Sequence, residues 1–370
     1  MVPHPLKRSA YAPRTRIPRE PHMNMSAGPF DPNTSLTTAG PPADAAHSNA
    51  FQGDGRRETV SPVDLRTRVG RLILANPILV ASGTFGYARE VAPFFKLDQL
   101  GGIVPKTITA APRAGNRVPR TVETASGLLN AIGLDNDGID HFLEHHLPYL
   151  RGLGTAIVVN VAGESPEQFA ELAGRVGSEP GVAAVELNLS CPNVSHGLDL
   201  GIEPATVQRV VARCRAVCET PLWAKLTPNV TDIVPLARAA WDGGADAVTL
   251  INTLKGLAVD WRRRRPILAN DFGGLSGPAI KPVALRMVWE VHRALPSLPI
   301  VGVGGILTLD DALEFLVAGA SAVQVGTATF FQPDAALTIR QALSATLAGQ
   351  GIKAVSELVG QLRSHRDPVG

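Results

Sequence analysis

From Asn76 onward the chain repeats one pattern: a short apolar run rich in β-branched residues, then a longer run with apolar positions at helical spacing. The short runs are Ile78 to Ala81, Gly102 to Lys106, Ala156 to Val161, Ala183 to Leu189, Leu222 to Leu226, Ala247 to Ile251, Ile300 to Val303 and Ala322 to Val325. Helices are predicted at Asp137 to Leu150, Pro166 to Val176, Pro204 to Cys218, Asp232 to Gly243, Lys281 to Ala294 and Asp310 to Ala318. Strands apolar on both faces belong to a parallel sheet covered by helices. Eight such units exceed the about five to seven strands usual in an open doubly wound sheet, so the expected fold is α/β, a (β/α)8 TIM barrel in a single domain.

Residues 1 to 60 follow no such period. Prolines and glycines recur there and aromatics are few, so a disordered N-terminal tail is expected, with the barrel domain over 61 to 370. Lys7, Arg8, Arg14, Arg16 and Arg19 precede the first acid, Glu20, and faintly resemble a transit segment. The prolines and the lack of an amphipathic face argue against that, and Met23 and Met25 allow a later start. Lys plus Arg number 35 against 33 Asp plus Glu, a formal charge of +2 that gives no pull toward nucleic acid or an anionic membrane. No run of 18 apolar residues predicts a membrane span. Three cysteines without a CxxC pair form neither a disulfide framework nor a metal site, which points to a reducing, cytoplasmic setting.

Polar and glycine-rich groups gather at the carboxyl ends of the predicted strands, the face where barrel enzymes act. They are Ser82-Gly83-Thr84, Lys106-Thr107, Asn160, Asn188 with Ser190-Cys191-Pro192-Asn193, Lys225, Asn252-Thr253, Gly304-Gly305 and Gly326-Thr327. Turn chemistry explains any one of them, though not all eight together. Glycines after the seventh and eighth strands let backbone N–H groups approach a phosphate. No GxGxxG follows the first strand, so FMN fits better than NAD as the cofactor.

Lys106 and Lys225, buried at strand ends, need anionic partners. A reduced flavin gains negative charge near N1 and O2, which a lysine stabilises. Asn130, Asn188, Asn193 and Asn252 offer the donors and acceptors that match the N–H and C=O edge of a pyrimidine ring. Cys191, in a polar loop with Gly197 and Gly201, suits a general base. Other residues are read as ordinary. His141, His145 and His146 lack the HExxH order and sit on a solvated helix face. Cys214 and Cys218 are packing residues, and Arg262 to Arg265 form a solvated basic loop.

These segments resemble the catalytic subunit of the NAD-linked dihydroorotate dehydrogenases. The likeness runs from about Asn76 to the last helix. It is carried by Ala81-Ser-Gly-Thr-Phe-Gly86, Asn130-Ala-Ile-Gly-Leu134, Asn188-Leu-Ser-Cys-Pro-Asn193, Lys225-Leu-Thr-Pro-Asn229, Leu250-Ile-Asn-Thr253, Gly273-Gly-Leu-Ser-Gly-Pro-Ala-Ile-Lys-Pro282 and Gly302-Val-Gly-Gly305. The resemblance implies FMN bound by Ser82, Lys106, Thr107, Asn160, Asn188, Lys225, Ile251, Gly277, Gly304, Gly305, Gly326 and Thr327. It implies dihydroorotate bound by Lys106, Asn130, Ala131, Ile132, Gly133, Leu134, Asn188, Asn252 and Thr253, with Asn193 a further contact and Cys191 the catalytic base. A partner subunit carrying FAD and a [2Fe–2S] cluster, in a heterotetramer of two catalytic and two electron-transfer subunits, would pass electrons to NAD.

Membrane-bound, quinone-using relatives carry a serine base and an N-terminal helical pair, whereas this chain has Cys191. Fumarate-using soluble relatives share the cysteine and usually differ around Asn130 to Asn136; they are the alternative reading. A flavin barrel reducing uridines in tRNA would need a basic surface and an extra helical domain, neither of which the composition offers. A non-catalytic phosphate-binding barrel recruiting a partner through Arg262 to Arg265 is a third reading, and it predicts a colourless protein.

Overall fold

The computed structural model describes residues 63–189 and 201–366, all within one compact unit. The tail expected over 1 to 60 lies outside them, as does the loop holding Cys191 and Asn193. Eight parallel strands close into a barrel: β1 (Ile78–Val80), β2 (Gly102–Ile103), β3 (Ala156–Val161), β4 (Val182–Asn188), β5 (Leu222–Lys225), β6 (Ala247–Leu250), β7 (Ile300–Val303) and β8 (Ala322–Val325). They pair in chain order, and β8 closes on β1 through the register Val323 with Ile78, Gln324 with Leu79 and Val325 with Val80. Each stands where the apolar runs predict it, because a strand buried between a barrel interior and a helical shell carries apolar residues on both faces.

The outer helices include Pro166–Gly177, Pro204–Arg215, Val234–Asp242, Lys281–Ala294, Leu309–Ala318 and Ala335–Gly349. Several begin with proline in the first turn, where its missing N–H costs no helical bond. Ser165 Oγ accepts from the Gln168 N–H at 3.2 Å. Thr308 and Asp311 cap the helix from Leu309 reciprocally. The single helix expected over Asp137 to Leu150 is instead interrupted by a π turn, Phe142–His146, in which the Leu147 N–H bonds the Phe142 carbonyl five residues back. Pro148 accounts for this: it has no N–H to give the Glu144 carbonyl, and its ring would strike that carbonyl in a regular helix.

Two further elements escape the periodicity argument. A hairpin, Thr67–Val69 with Leu72–Leu74, closes the amino-terminal end of the barrel. Its Val69 and Leu74 join Leu79, Val104, Val158, Ala184, Trp223, Ala247, Val301 and Ala322 in one apolar cluster. Arg71 fastens it to Asp246 at 2.6 Å. At the opposite end, an antiparallel sheet runs in the order Leu254–Leu257, Phe272–Ser276, Gly127–Asn130, Thr121–Thr124. It joins the excursion after β2 to the excursion after β6. Sequences such as Phe272-Gly-Gly-Leu-Ser276 have no alternation to betray them.

Candidate active site

Side chains of period two carry the barrel interior from hydrocarbon to polar groups one step along each strand. Val158 is followed by Asn160, Ala184 by Glu186, Trp223 by Lys225, Ala247 by Thr249 and Ala322 by Gln324. The Glu186 carboxylate is fully buried. It accepts from Asn160 Nδ2 at 2.7 Å, Thr249 Oγ1 at 2.7 Å and Gln324 Nε2 at 2.8 Å. Lys225 Nζ stands 3.9 Å from its Oε1. Sequence reasoning missed Glu186, although the signal was present: a lone carboxylate within the apolar run from Val182 to Leu189.

Next to this polar layer lies a cavity of about 870 Å³, within the roughly 300 to 1,000 Å³ of small-molecule sites. It is lined by Ser82, Lys106, Thr107, Asn130, Ala131, Ile132, Gly133, Leu134, Asn188, Lys225, Ile251, Asn252, Thr253, Gly277, Gly304, Gly305, Gly326 and Thr327. The structure thus brings together every described residue expected at the site except Asn160, which sits fully buried beside Glu186. Cys191 and Asn193 lie outside the described residues; Asn188 and Gly201, on either side of that loop, both line the cavity. Arg120, Thr227, Asn229, Lys255 and Phe272 also line it and were not foreseen, because the antiparallel sheet and the loop after β5 deliver them. Arg120 is tied to Asp135 at 2.8 Å, and Lys255 lies over the Phe272 ring at 4.9 Å.

One end of the cavity is glycine-rich. Gly277, Gly304 and Gly305 have φ of 90°, 132° and 78°. Thr327 Oγ1 donates to Ser276 Oγ at 2.8 Å, and Ser82 and Thr107 hydroxyls meet at 3.1 Å. At Gly326 an added Cβ would meet nothing nearer than Ala81 Cβ at 3.5 Å and Thr84 Cγ2 at 3.7 Å. Side-chain packing therefore does not require glycine there, and the bare backbone leaves room for an anion to approach. Asn160 Oδ1, in the polar layer beside the cavity, is buried with no hydrogen-bond partner among the described residues. The glycine-rich end fits a phosphate-bearing group. The other part of the cavity is amide-rich: Asn252 Nδ2 donates to Asn188 Oδ1 at 3.2 Å, and Asn130 Nδ2 to the Gly274 carbonyl at 3.3 Å.

Outside the cavity, His141 and His145 are exposed as expected. His146 departs from that expectation by stacking on Tyr87 with ring centroids 3.7 Å apart. Burial, ahead of its neighbours, lowers the His146 pKa below the ordinary histidine value. Burial and then Asp137 and Asp135 push the Tyr87 hydroxyl up to about 12. Asp137, His141 and His146 place three donor atoms within 4.8 Å of one another. A ligating ring usually donates its second N–H, yet His146 Nδ1 is buried with no partner among the described residues. Cys214 and Cys218 are buried packing residues, and burial pushes the Cys214 thiol up to about 12. Arg262 to Arg264 form an exposed turn, in which Arg262 lies over Trp261 at 4.6 Å. No described helix is long and apolar enough to cross a membrane.

Residues 64–347 match the family model of dihydroorotate dehydrogenase. The chain is 52% identical over 300 residues to dihydroorotate dehydrogenase B (NAD(+)), catalytic subunit, of Pelobacter propionicus, covering 81% of this chain and 98% of that one. It is 52% identical over 299 residues to the protein of the same name from Trichlorobacter lovleyi, with 80% and 98% covered. To that from Geobacter sulfurreducens it is 51% identical over 300 residues, with 81% and 98% covered. A strand-end cavity with a glycine cradle at one end and convergent amides at the other is thus matched by likeness along almost the whole length of these relatives, and the chain belongs to the dihydroorotate dehydrogenase family.

Proposed function

We propose that this chain oxidises dihydroorotate to orotate, a step of pyrimidine biosynthesis in the cytoplasm, with FMN held in the barrel mouth. The observation that carries the reading is one cavity holding a glycine anion cradle, three lysines and convergent amides. Gly277, Gly304, Gly305, Gly326 and Thr327 hold the phosphate; Ser82, Lys106, Thr107, Asn160, Asn188, Lys225 and Ile251 hold the ring. Asn130 to Leu134, Asn188, Asn252 and Thr253 match the polar edge of the substrate ring, Lys106 faces its charge, and Asn193 adds a contact from the loop of Cys191. Cys191 takes the proton from C5 of the substrate. Bound FMN supplies an acceptor for the hydride that leaves C6.

Electrons then leave for a partner subunit carrying FAD and a [2Fe–2S] cluster, two of each subunit assembling together, with NAD as final acceptor. The names of the relatives support a separate subunit. So do the lack of a dinucleotide fingerprint and of a cysteine cluster in this sequence. The exposed Trp261 beside Arg262 to Arg265 offers a docking point for an acidic partner, with its main effect on association rate.

The test is the visible spectrum of the purified chain, followed by turnover with different acceptors. A yellow protein bleached anaerobically by dihydroorotate is expected, with slow turnover of NAD by the chain alone. A colourless protein, or no bleaching, removes the reading. Fast fumarate turnover assigns the chain to the fumarate-using class, and fast NAD turnover without a partner removes the two-subunit scheme.

A further inference from the structure

We infer that Glu186 is a positioning residue for the reaction: its carboxylate pins the Lys225 ammonium beside the cavity and offsets part of that ammonium's charge there. The inference rests on the flavin reading above. Glu186 is fully buried and bonded from three other strands, by Asn160 on β3, Thr249 on β6 and Gln324 on β8, so its carboxylate has a fixed place. Lys225 Nζ at 3.9 Å is held by charge at a distance too long for a hydrogen bond, which leaves its N–H donors for the cavity that it lines.

Stability alone does not ask for this carboxylate. One step below, the same strands fill the barrel with Val158, Ala184, Trp223, Ala247 and Ala322, and replacing a buried ion pair by hydrocarbon is often neutral or stabilising. Local charge does ask for it. Lys106, Lys225 and Lys255 all line the cavity, and Glu186 stands beside Lys225 alone, at 3.9 Å, so its carboxylate offsets the charge of that one lysine. Asn160 is oriented by the same group: its amide N–H donates to Glu186, which leaves its oxygen as an acceptor.

Glu186→Gln tests both parts. In the FMN-free protein, acetic anhydride labelling read by peptide mass spectrometry compares Lys225 with Lys106, which serves as the internal standard. The Lys225 to Lys106 labelling ratio should rise at least about fivefold, since a lost pin frees one lysine while general loosening frees both. In the FMN-loaded protein, the midpoint potential should move positive, by the equivalent of at least about tenfold tighter binding of reduced over oxidised cofactor, because a negative charge near the reduced ring has been removed. An unchanged labelling ratio in folded protein overturns the pin, and an unchanged or more negative potential overturns the charge offset. A chain that never holds FMN sinks the functional reading, and the labelling ratio still decides the pin. Should Glu186→Gln fail to fold, the swap Glu186→Gln with Gln324→Glu restores donor and acceptor complementarity while moving the carboxylate off Lys225. It must raise the labelling ratio in the same direction, or the pin is overturned.

Discussion

Gly305 and Gly326 both border the cavity, yet glycine answers different demands at the two positions. At Gly305, φ is 78° and an added Cβ would stand 2.7 Å from Lys281 Cβ, so Gly305→Ala should cost about 1 to 2 kcal/mol from φ alone, with the clash in addition. At Gly326 an added Cβ has room, so Gly326→Ala should lose less stability in urea than Gly305→Ala while retaining FMN about tenfold more weakly. Equal losses of stability in both variants would mean that the Gly326 position serves packing. Cys191→Ser should keep FMN and slow flavin reduction roughly 10²- to 10⁴-fold in stopped-flow, the usual scale of a general base; a rate within twofold of wild type removes Cys191 from the chemistry. Lys106, Lys225, Asn188, Asn252, Gly304, Gly305 and Gly326 were legible in the sequence because they stand at the ends of barrel strands, whereas Lys255 and Asn229 were not. Glu186 was not recognised because it stands in mid-strand, where its partners come from strands 26 to 138 residues away.

At the scale of elements, the barrel strands were legible and the antiparallel sheet was not. Apolar runs report burial on both faces, whereas Thr121–Thr124 and Leu254–Leu257 are half-exposed and pair only because two distant loops meet. The start of the helix Leu309–Ala318 carries a testable charge. Burial works against ionised Asp311, but hydrogen bonds from Lys281, from the Leu307 and Thr308 N–H groups and from the Thr308 hydroxyl together lower its pKa. A lowered carboxylate value stabilises the fold above the unfolded value of about 3.9, and that contribution is lost as pH falls through the folded value. Urea unfolding should therefore show Asp311→Asn less stable than wild type at pH 6 to 7, with the gap closing below about pH 4. Thr308→Ala should cost about 1 kcal/mol by loss of the cap. A gap that is constant with pH would separate Asp311 from the cap energetics.

At the scale of the molecule, the barrel is closed at one end by a hairpin and roofed at the other by a sheet. Leu74→Ala in the hairpin should cost about 2 to 5 kcal/mol, because the residue is almost wholly buried in the inner apolar cluster; a smaller loss in thermal unfolding would mean that the barrel closes without its plug. The hairpin was missed in the sequence because two three-residue strands are too short for any period to show. Ring closure also brings distant parts of the chain side by side. The Asp64 N–H donates to the Lys353 carbonyl, and the Val355 N–H to the Asp64 carbonyl, each at 2.9 Å. A barrel whose opening and closing segments touch has no preferred starting point. The order of synthesis can thus be rotated: a gene that joins the two segments through a short glycine-serine linker and opens at the turn around Gly152 should still yield the same closed ring.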